Sequence, residues 1–395
     1  MFTVAVVTGT RAEYGLLRPV LQKLAAANTL CLRLLVTGTH LSKEYGYTVS
    51  EIETDAPLGI AIDERLDILS QPVGEGRVAT ARRVALCLQG CTAYFEKTKP
   101  DAVLLLGDRY EIFAAAQAAA LLGIPVAHIS GGDVTAGADD DWFRHCVTKL
   151  AALHFPSCEA YRARVIRMGE EPGRVLNVGG LGDENIRQLP LMSYEGLQVS
   201  LGFALPRPYA LLTFHPETQS AQTPAEQVDA LLAALQANPQ LFYLCTKANA
   251  DAGGEVINAR LEAFCRENAD AALVASLGVL RYLSAMKHAA LVLGNSSSGV
   301  VEAPSLGIPC VNIGDRQRGR LISENIICCP AEAEAIKSAL QTALSPAFAE
   351  KARAAQSPYN GGDTSGKIVA ALESFLASGK LRKPKIFYDG PFENI

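Results

Sequence analysis

Positive charge is in short supply in this sequence. Its 36 lysines and arginines face 41 aspartates and glutamates, for a net charge of −5, and only 19% of residues are charged at all. That balance excludes affinity carried by a broad basic surface, so nucleic acid is not an expected partner, although a local cluster of arginines could still hold one phosphate. Long apolar runs are missing too. None approaches the roughly 20 residues that span a bilayer, which removes the membrane as a partner. The opening MFTVAVVTGT has neither a basic leader nor a cleavage signal before its first strand-like run, so a cytoplasmic location is expected. Ten cysteines are present without one CxxC pair: Cys87 and Cys91 are four apart, and Cys328 and Cys329 are adjacent. Such spacing supports neither a zinc site nor a disulfide framework, and buried free thiols are the expectation.

What the chain has is length and aliphatic content. With 395 residues and 49% hydrophobic side chains, two compact domains are expected. TVAVVTG (3–9), LRLLVTG (32–38), AVLLLG (102–107), PVAHIS (125–130) and VLNVGG (175–180) read as strands apolar on both faces, with helical spacing between them. The pattern restarts with YALLTFH (209–215), LFYLCTK (241–247), ALVASL (272–277), ALVLGN (290–295) and PCVNIG (309–314). The polar, proline-containing stretch 187–208 is the candidate linker. The expected fold class is α/β, with two doubly wound Rossmann-like domains facing a cleft. Residues 1–186 are expected to form the first and residues 187–365 the second.

Polar motifs follow the strands. TGTRAEYG (8–15) lacks GxGxxG and the Walker pattern, so Arg11 either meets a phosphate or is a surface arginine on an ordinary turn. GDRYE supplies Asp108, Arg109 and Glu111, as helix caps or as a catalytic carboxylate with its neighbours. HISGGDVTAGADDDWFRH (128–145) empties a strand into Asp133, Asp139, Asp140 and Asp141. These can cap the helix near Trp142, bind a hard cation, or act as general acid and base. The EF-hand spacing is absent. His215 ends a strand and is expected to be functional, whereas His145 and His154 look structural. In GNSSSGVVEAPSLGIP (294–309), Ser296 and Ser297 open a helix that could cradle a phosphate, with Glu302 placed for ribose hydroxyls. Arg316, Arg318 and Arg320 follow the next strand, and the two segments together suggest a nucleoside diphosphate.

Taken in order, TGTRAEYG, LLGDRYE, HISGGDVTAGADDD…RH, FHPET, NADAGG, GNSSSG and NIGDRQ resemble the hydrolysing UDP-N-acetylglucosamine 2-epimerases of sialic-acid biosynthesis. The resemblance covers about residues 3 to 320, and SPYNGGD and the final helix also fit. It implies a glycosyltransferase-B-like fold whose last helix crosses back, so that the C-terminal helix segment 366–395 completes the first domain. The implied reaction removes the C2 proton as UDP leaves C1, then adds water to give free N-acetylmannosamine. No metal and no cofactor are implied, the partner is the UDP-sugar substrate, and assembly as a dimer or tetramer is expected.

Carried over by position, Asp108, Asp133, Asp140, Asp141 and His215 fall in the catalytic set. Arg11, Arg109, Asn249, Asp251, Ser296, Ser297, Glu302 and Arg316 fall in the substrate- and UDP-binding set, which His215 also joins. Ser130 departs from relatives that carry Glu or His there, so its task would pass to Asp133 or the aspartate run. Three other readings remain at this point: the same reaction on a UDP-2,4-diacetamido-2,4,6-trideoxyhexose, a glycosyltransferase of the same fold, and a nonenzymatic nucleotide-sugar sensor.

Overall fold

The structure, a computed structural model, describes residues 1–74, 76–136, 138–217, 220–248 and 253–391. Its contacts divide it into two compact units. One comprises Met1–Asp133, Asp140–Glu184 and Tyr359–Ile395; the other comprises Val134–Asp139 and Asn185–Pro358.

In the first unit, the described residues form a six-stranded sheet of β1 (Phe2–Thr8), β2 (Leu30–Thr37), β3 (Ile62–Leu66), β4 (Ala102–Leu106), β5 (Val126–Ile129) and β6 (Leu153–Phe155). The order is β3-β2-β1-β4-β5-β6 and every pairing is parallel. Alternate residues of β1 enter different cores. Val4 and Val6 pack on one face with Leu17, Leu21 and Leu24, while Ala5 and Val7 pack on the other with Phe95, Val103 and Ala115. A strand buried on both faces has to be apolar throughout, which is why these runs stand out in the sequence.

The second unit repeats the plan with β7 (Tyr209–Thr213), β8 (Phe242–Thr246), β9 (Ala271–Val274), β10 (Leu291–Gly294), β11 (Cys310–Ile313) and β12 (Ile326–Cys329). Its order, β12-β11-β10-β7-β8-β9, is the first sheet's order with six added to each strand number and read from the other edge. In each sheet the direction of winding reverses between the first and fourth strands, β1 and β4 or β7 and β10. Open α/β sheets bind ligands at that reversal, outside the carboxyl ends of the strands.

Three strands escape the sequence reading, each for a physical reason. β3, IDERL, is an edge strand with alternating exposure, so it lacks an apolar run. β6 is three residues long and sits at the end of a helix-like pattern. β12 is an edge strand of four. Conversely, the expected strand at 175–180 makes only an isolated bridge, His154 to Val175, before the chain turns into the helix Leu181–Gln188. The stretch 187–208 is packed rather than a free linker. It carries the helix Tyr194–Leu201 and buries Leu197 and Leu205 in the second unit's core.

The C-terminal helix Thr364–Ala377 completes the first unit's core through Ile368, Val369, Leu372 and Leu376, against the helix Arg11–Ala26. Its start is fixed by the buried Glu184 carboxylate, which accepts from the Ser365 N–H at 2.7 Å and its Oγ at 2.6 Å. Tyr161 and Tyr359 hydroxyls meet at 3.0 Å just before it. Among the described residues no helix is long and apolar enough to cross a membrane. Leu372→Ala is expected to cost about 2–5 kcal/mol of unfolding free energy, because a fully buried leucine leaves a cavity. Urea titration reads this, and a loss under about 0.5 kcal/mol would mean that the helix is not part of the core.

Candidate active site

In the first unit the polar residues gather where β1 and β4 end side by side, their register set by Val6 opposite Leu104. Thr10 caps the helix Arg11–Ala26 in a reciprocal box with Glu13. The Glu13 carboxylate also accepts from the Gly9 N–H at 2.8 Å. Arg11, expected to meet phosphate, is ion-paired with Glu51, its Nε 2.9 Å from Oε2. Arg109 stands at the N-cap position of the helix Tyr110–Leu121, and its Nε reaches Glu111 Oε2 at 3.3 Å. Glu111 is fully buried, and one oxygen each of Glu13 and Glu111 lacks a hydrogen-bond partner. Burial, and then the charge of Glu111, push the Glu13 pKa up to about 8, against the opposing pull of Arg109. Nearby His40 is buried and neutral, its pKa drawn down by desolvation to about 4.

Asp108 lies one residue past the turn that ends β4, and its carboxylate is ion-paired with Arg144. Arg144 is only 1% exposed. Burial alone would oppose its charge, but the carboxylates of Asp108, Asp133 and Asp140 more than offset that and hold the guanidinium protonated. Its Nη1 donates to the Asp133 carbonyl at 3.1 Å and lies 3.4 Å from Asp141 Oδ1. Asp141 Oδ2 in turn sits 3.6 Å from His145 Nε2. Four of the expected residues, Asp108, Asp133, Asp140 and Asp141, therefore surround one buried cation. Asp140 and Asp141 occupy the first turn of the helix Asp140–Leu150, where carboxylates also meet the helix dipole. Asp139 belongs with the second unit, whose Val134–Asp139 segment is held there by the Ala136 N–H donating to the Arg318 carbonyl.

The loop's entry is equally constrained. His128 donates from Nε2 to the Gly107 carbonyl at 2.7 Å, so its Nδ1 is the acceptor facing Thr148 Oγ1 at 3.2 Å. Burial lowers its pKa to about 3, and it stays neutral. Ser130 adopts φ 64°, a left-handed conformation that few non-glycine residues take. Gly132, at φ 88°, lies so close to the Tyr161 carbonyl that a side chain has no room. Among the described residues no group of three or more His, Cys, Asp or Glu side chains is arranged to hold a metal.

In the second unit, β7 and β10 end level, with Thr213 opposite Gly294. Gly294 has φ 124°, and a Cβ there would collide with the Thr213 carbonyl, so glycine lets the two ends close up. His215 follows β7. Its backbone is bracketed by the buried Asn295 side chain, which accepts from the His215 N–H at 2.7 Å and donates to its carbonyl at 2.8 Å. Ser296 is an N-cap that accepts from the Ser298 N–H at 3.4 Å. The helix that follows, Ser297–Val301, is a short turn broken at Glu302 and resumed as Ala303–Leu306, with Pro304 near the start of the second piece. The expected continuous helix is therefore two fragments. Arg316 donates from Nη1 to the Asn295 carbonyl at 3.2 Å. Buried Glu217 accepts from the backbone N–H groups of Asp315 and Arg316, at 2.9 and 3.3 Å, and its pKa is raised by burial. His215, Ser296, Ser297, Glu302 and Arg316 thus all follow the neighbouring strands β7, β10 and β11. Asn249 and Asp251 lie outside the described residues.

Three residues that sequence reasoning did not assign organise these clusters: Arg144, Asn295 and Glu217. The signals were present. Arg144 stands three residues after Asp141, Asn295 directly ends a strand, and Glu217 sits two beyond His215.

A family model described as UDP-N-acetylglucosamine 2-epimerase matches residues 22–373. The polysialic acid biosynthesis protein P7 of Escherichia coli is 36% identical over 386 residues, 98% of this chain and 97% of its own. A Campylobacter jejuni protein, the GDP/UDP-N,N'-diacetylbacillosamine 2-epimerase (hydrolyzing), is 38% identical over 325 residues, 82% of this chain and 83% of its own. The crystal structure of UDP-GlcNAc 2-epimerase from Neisseria meningitidis bound to UDP-GlcNAc superposes with a TM-score of 0.78 at 21% identity. It covers 94% of this chain and 100% of that one, a likeness of fold: glycosyltransferase-B-like, with two Rossmann-like domains.

The Glu13 carboxyl gives a test by stability. Its pKa in the folded protein, about 8, lies above the ordinary glutamate value of 4.5. The proton therefore favours the folded state fully below about pH 4.5, and that contribution is lost as pH rises through about 8. Glu13→Gln, which keeps an acceptor for the Gly9 N–H and cannot ionise, is expected to be more stable than the parent at pH 8.5. The gain should be on the order of a few kcal/mol and shrink toward pH 5. Chemical denaturation at the two pH values reads it, and a difference that does not change with pH would show that Glu13 is ionised throughout.

Proposed function

We propose that this chain, which belongs to the UDP-N-acetylglucosamine 2-epimerase family, is the hydrolysing kind of 2-epimerase. It would convert UDP-N-acetylglucosamine to free N-acetylmannosamine and UDP for sialic-acid-type sugar synthesis. The observation that carries the reading is the ring of carboxylates around Arg144 at the ends of β4 and β5. Names of relatives add support: one is a polysialic acid biosynthesis protein and another a hydrolysing 2-epimerase.

The chemistry asks for what these residues are. The C2–H bond breaks with its proton passing to a carboxylate, and its electron pair forms the C1=C2 double bond. The C1–O bond to the diphosphate breaks as UDP takes the other pair. Water then adds its hydroxyl to C1 and a proton to the opposite face of C2. The C2 proton is scarcely acidic until charge develops at C1, so a base at C2 and donors on the phosphates have to act together. We assign the base and acid to Asp108 and the aspartates Asp133, Asp140 and Asp141, gathered around the Arg144 guanidinium. Ser130 has no carboxyl to contribute. His215, Arg316, Ser296, Ser297 and Glu302 are assigned to UDP, with Arg11, Arg109, Asn249 and Asp251 completing the binding set. A homo-oligomer in the cytoplasm completes the proposal.

A second reading, the same reaction on a UDP-diacetamido-trideoxyhexose, is favoured by the diacetylbacillosamine 2-epimerase among the relatives. Incubation with each UDP-sugar, followed by ¹H and ³¹P NMR, separates them. Free N-acetylmannosamine and UDP from UDP-N-acetylglucosamine support the lead. Turnover of only the diacetamido substrate selects the second reading, and an epimerised sugar still attached to UDP would overturn hydrolysis. Asp108→Asn is expected to lower kcat by about 10²- to 10⁴-fold, as loss of a general acid or base does. UDP affinity by calorimetry should stay within a few-fold. Undiminished turnover would remove Asp108 from the chemistry.

A further inference from the structure

We infer that Asn295 is a positioning residue that acts through His215, fixing where the imidazole stands for the reaction proposed above. The inference rests on that reading for what His215 does, and on the second unit's geometry for how. Asn295 is fully buried, and its side-chain amide is used twice on one residue. Oδ1 accepts from the His215 N–H at 2.7 Å, and Nδ2 donates to the His215 carbonyl at 2.8 Å. This paired contact copies one rung of a β-ladder after β7 itself has ended at Thr213. A side chain leaving β7's end would otherwise hang on a loop, and the amide extends the sheet's order by the length needed to reach it.

Asn295 is itself held from three sides. Its N–H donates to the Thr213 carbonyl at 3.2 Å, and its carbonyl accepts from Gln317 Nε2 at 2.9 Å and Arg316 Nη1 at 3.2 Å. A position so over-determined can hold a partner to within the few tenths of an ångström that catalytic geometry needs. An apolar or acidic replacement would leave one or both backbone groups of His215 without a matching partner.

The test compares Asn295→Asp, of the same shape but without the donor, with Asn325→Ala. Asn325 is a fully buried asparagine of the same unit that donates to the Ile308 carbonyl at 2.7 Å and makes no bond to His215. Each is made alone and with His215→Ala, and kcat, KM and Tm are measured on the full chain. Asn295→Asp is expected to lower kcat at least about tenfold in the parent and by less than about twofold in the His215→Ala background, as residues acting as one unit do. Asn325→Ala is expected to lower Tm and leave kcat unchanged. Equal losses in both backgrounds, an unaltered kcat in folded Asn295→Asp, or its unfolding at 25 °C would each overturn the inference, the last by making Asn295 a support of the fold. A parent protein that turns over no UDP-sugar would instead overturn the reaction itself.

Discussion

Strands buried on both faces leave this chain one kind of place for polar chemistry, the ends of those strands. Side chains along β1, β4, β7 and β10 are committed to two cores each, so charge has to wait until the chain leaves the sheet. The order of both sheets then decides which ends adjoin. β1 lies beside β4 and β7 beside β10 because the winding reverses there, and the turns that follow diverge to opposite sides. Gly9, Asp108 and Arg109 in one unit, and His215 and Ser296 in the other, are the first residues that this constraint releases.

Once polar groups are concentrated at a strand end, they have to satisfy one another. Arg144 could not be buried without neighbouring carboxylates, and the aspartates could not crowd together without a cation among them. Glu13 and Glu111 show the other outcome. There Arg109 pairs with Glu111, and Glu13, desolvated close to that second carboxylate, retains its proton up to about pH 8.

The central strands and the two-fold repetition of the α/β plan were legible in the sequence because burial on both faces writes an uninterrupted apolar run. Edges were not. β3 alternates like a half-exposed strand, β6 is too short to register, and the 175–180 run is apolar for packing rather than pairing. The motifs were readable as residue types following strands, but their partners were not, since partnership depends on contacts far apart in the chain. Arg144 is an unremarkable basic residue within a helix until Asp108, 36 positions earlier, is set against it. Asn295 directly precedes the serines in sequence, and only the fold places it on His215, 80 positions away. The helix after Gly294 is two short fragments, the second with Pro304 in its first turn, where the sequence pattern reads as one.

In the proposed reaction this carboxylate cluster removes and replaces the hydrogen on C2. Running the reaction in D₂O tests it most directly, with the free sugar examined by ¹H NMR as it forms. N-acetylmannosamine carrying deuterium at C2 is the expected product, because the second proton comes from solvent after the first has gone to a carboxylate. N-acetylmannosamine that forms with its original hydrogen still on C2 would contradict it.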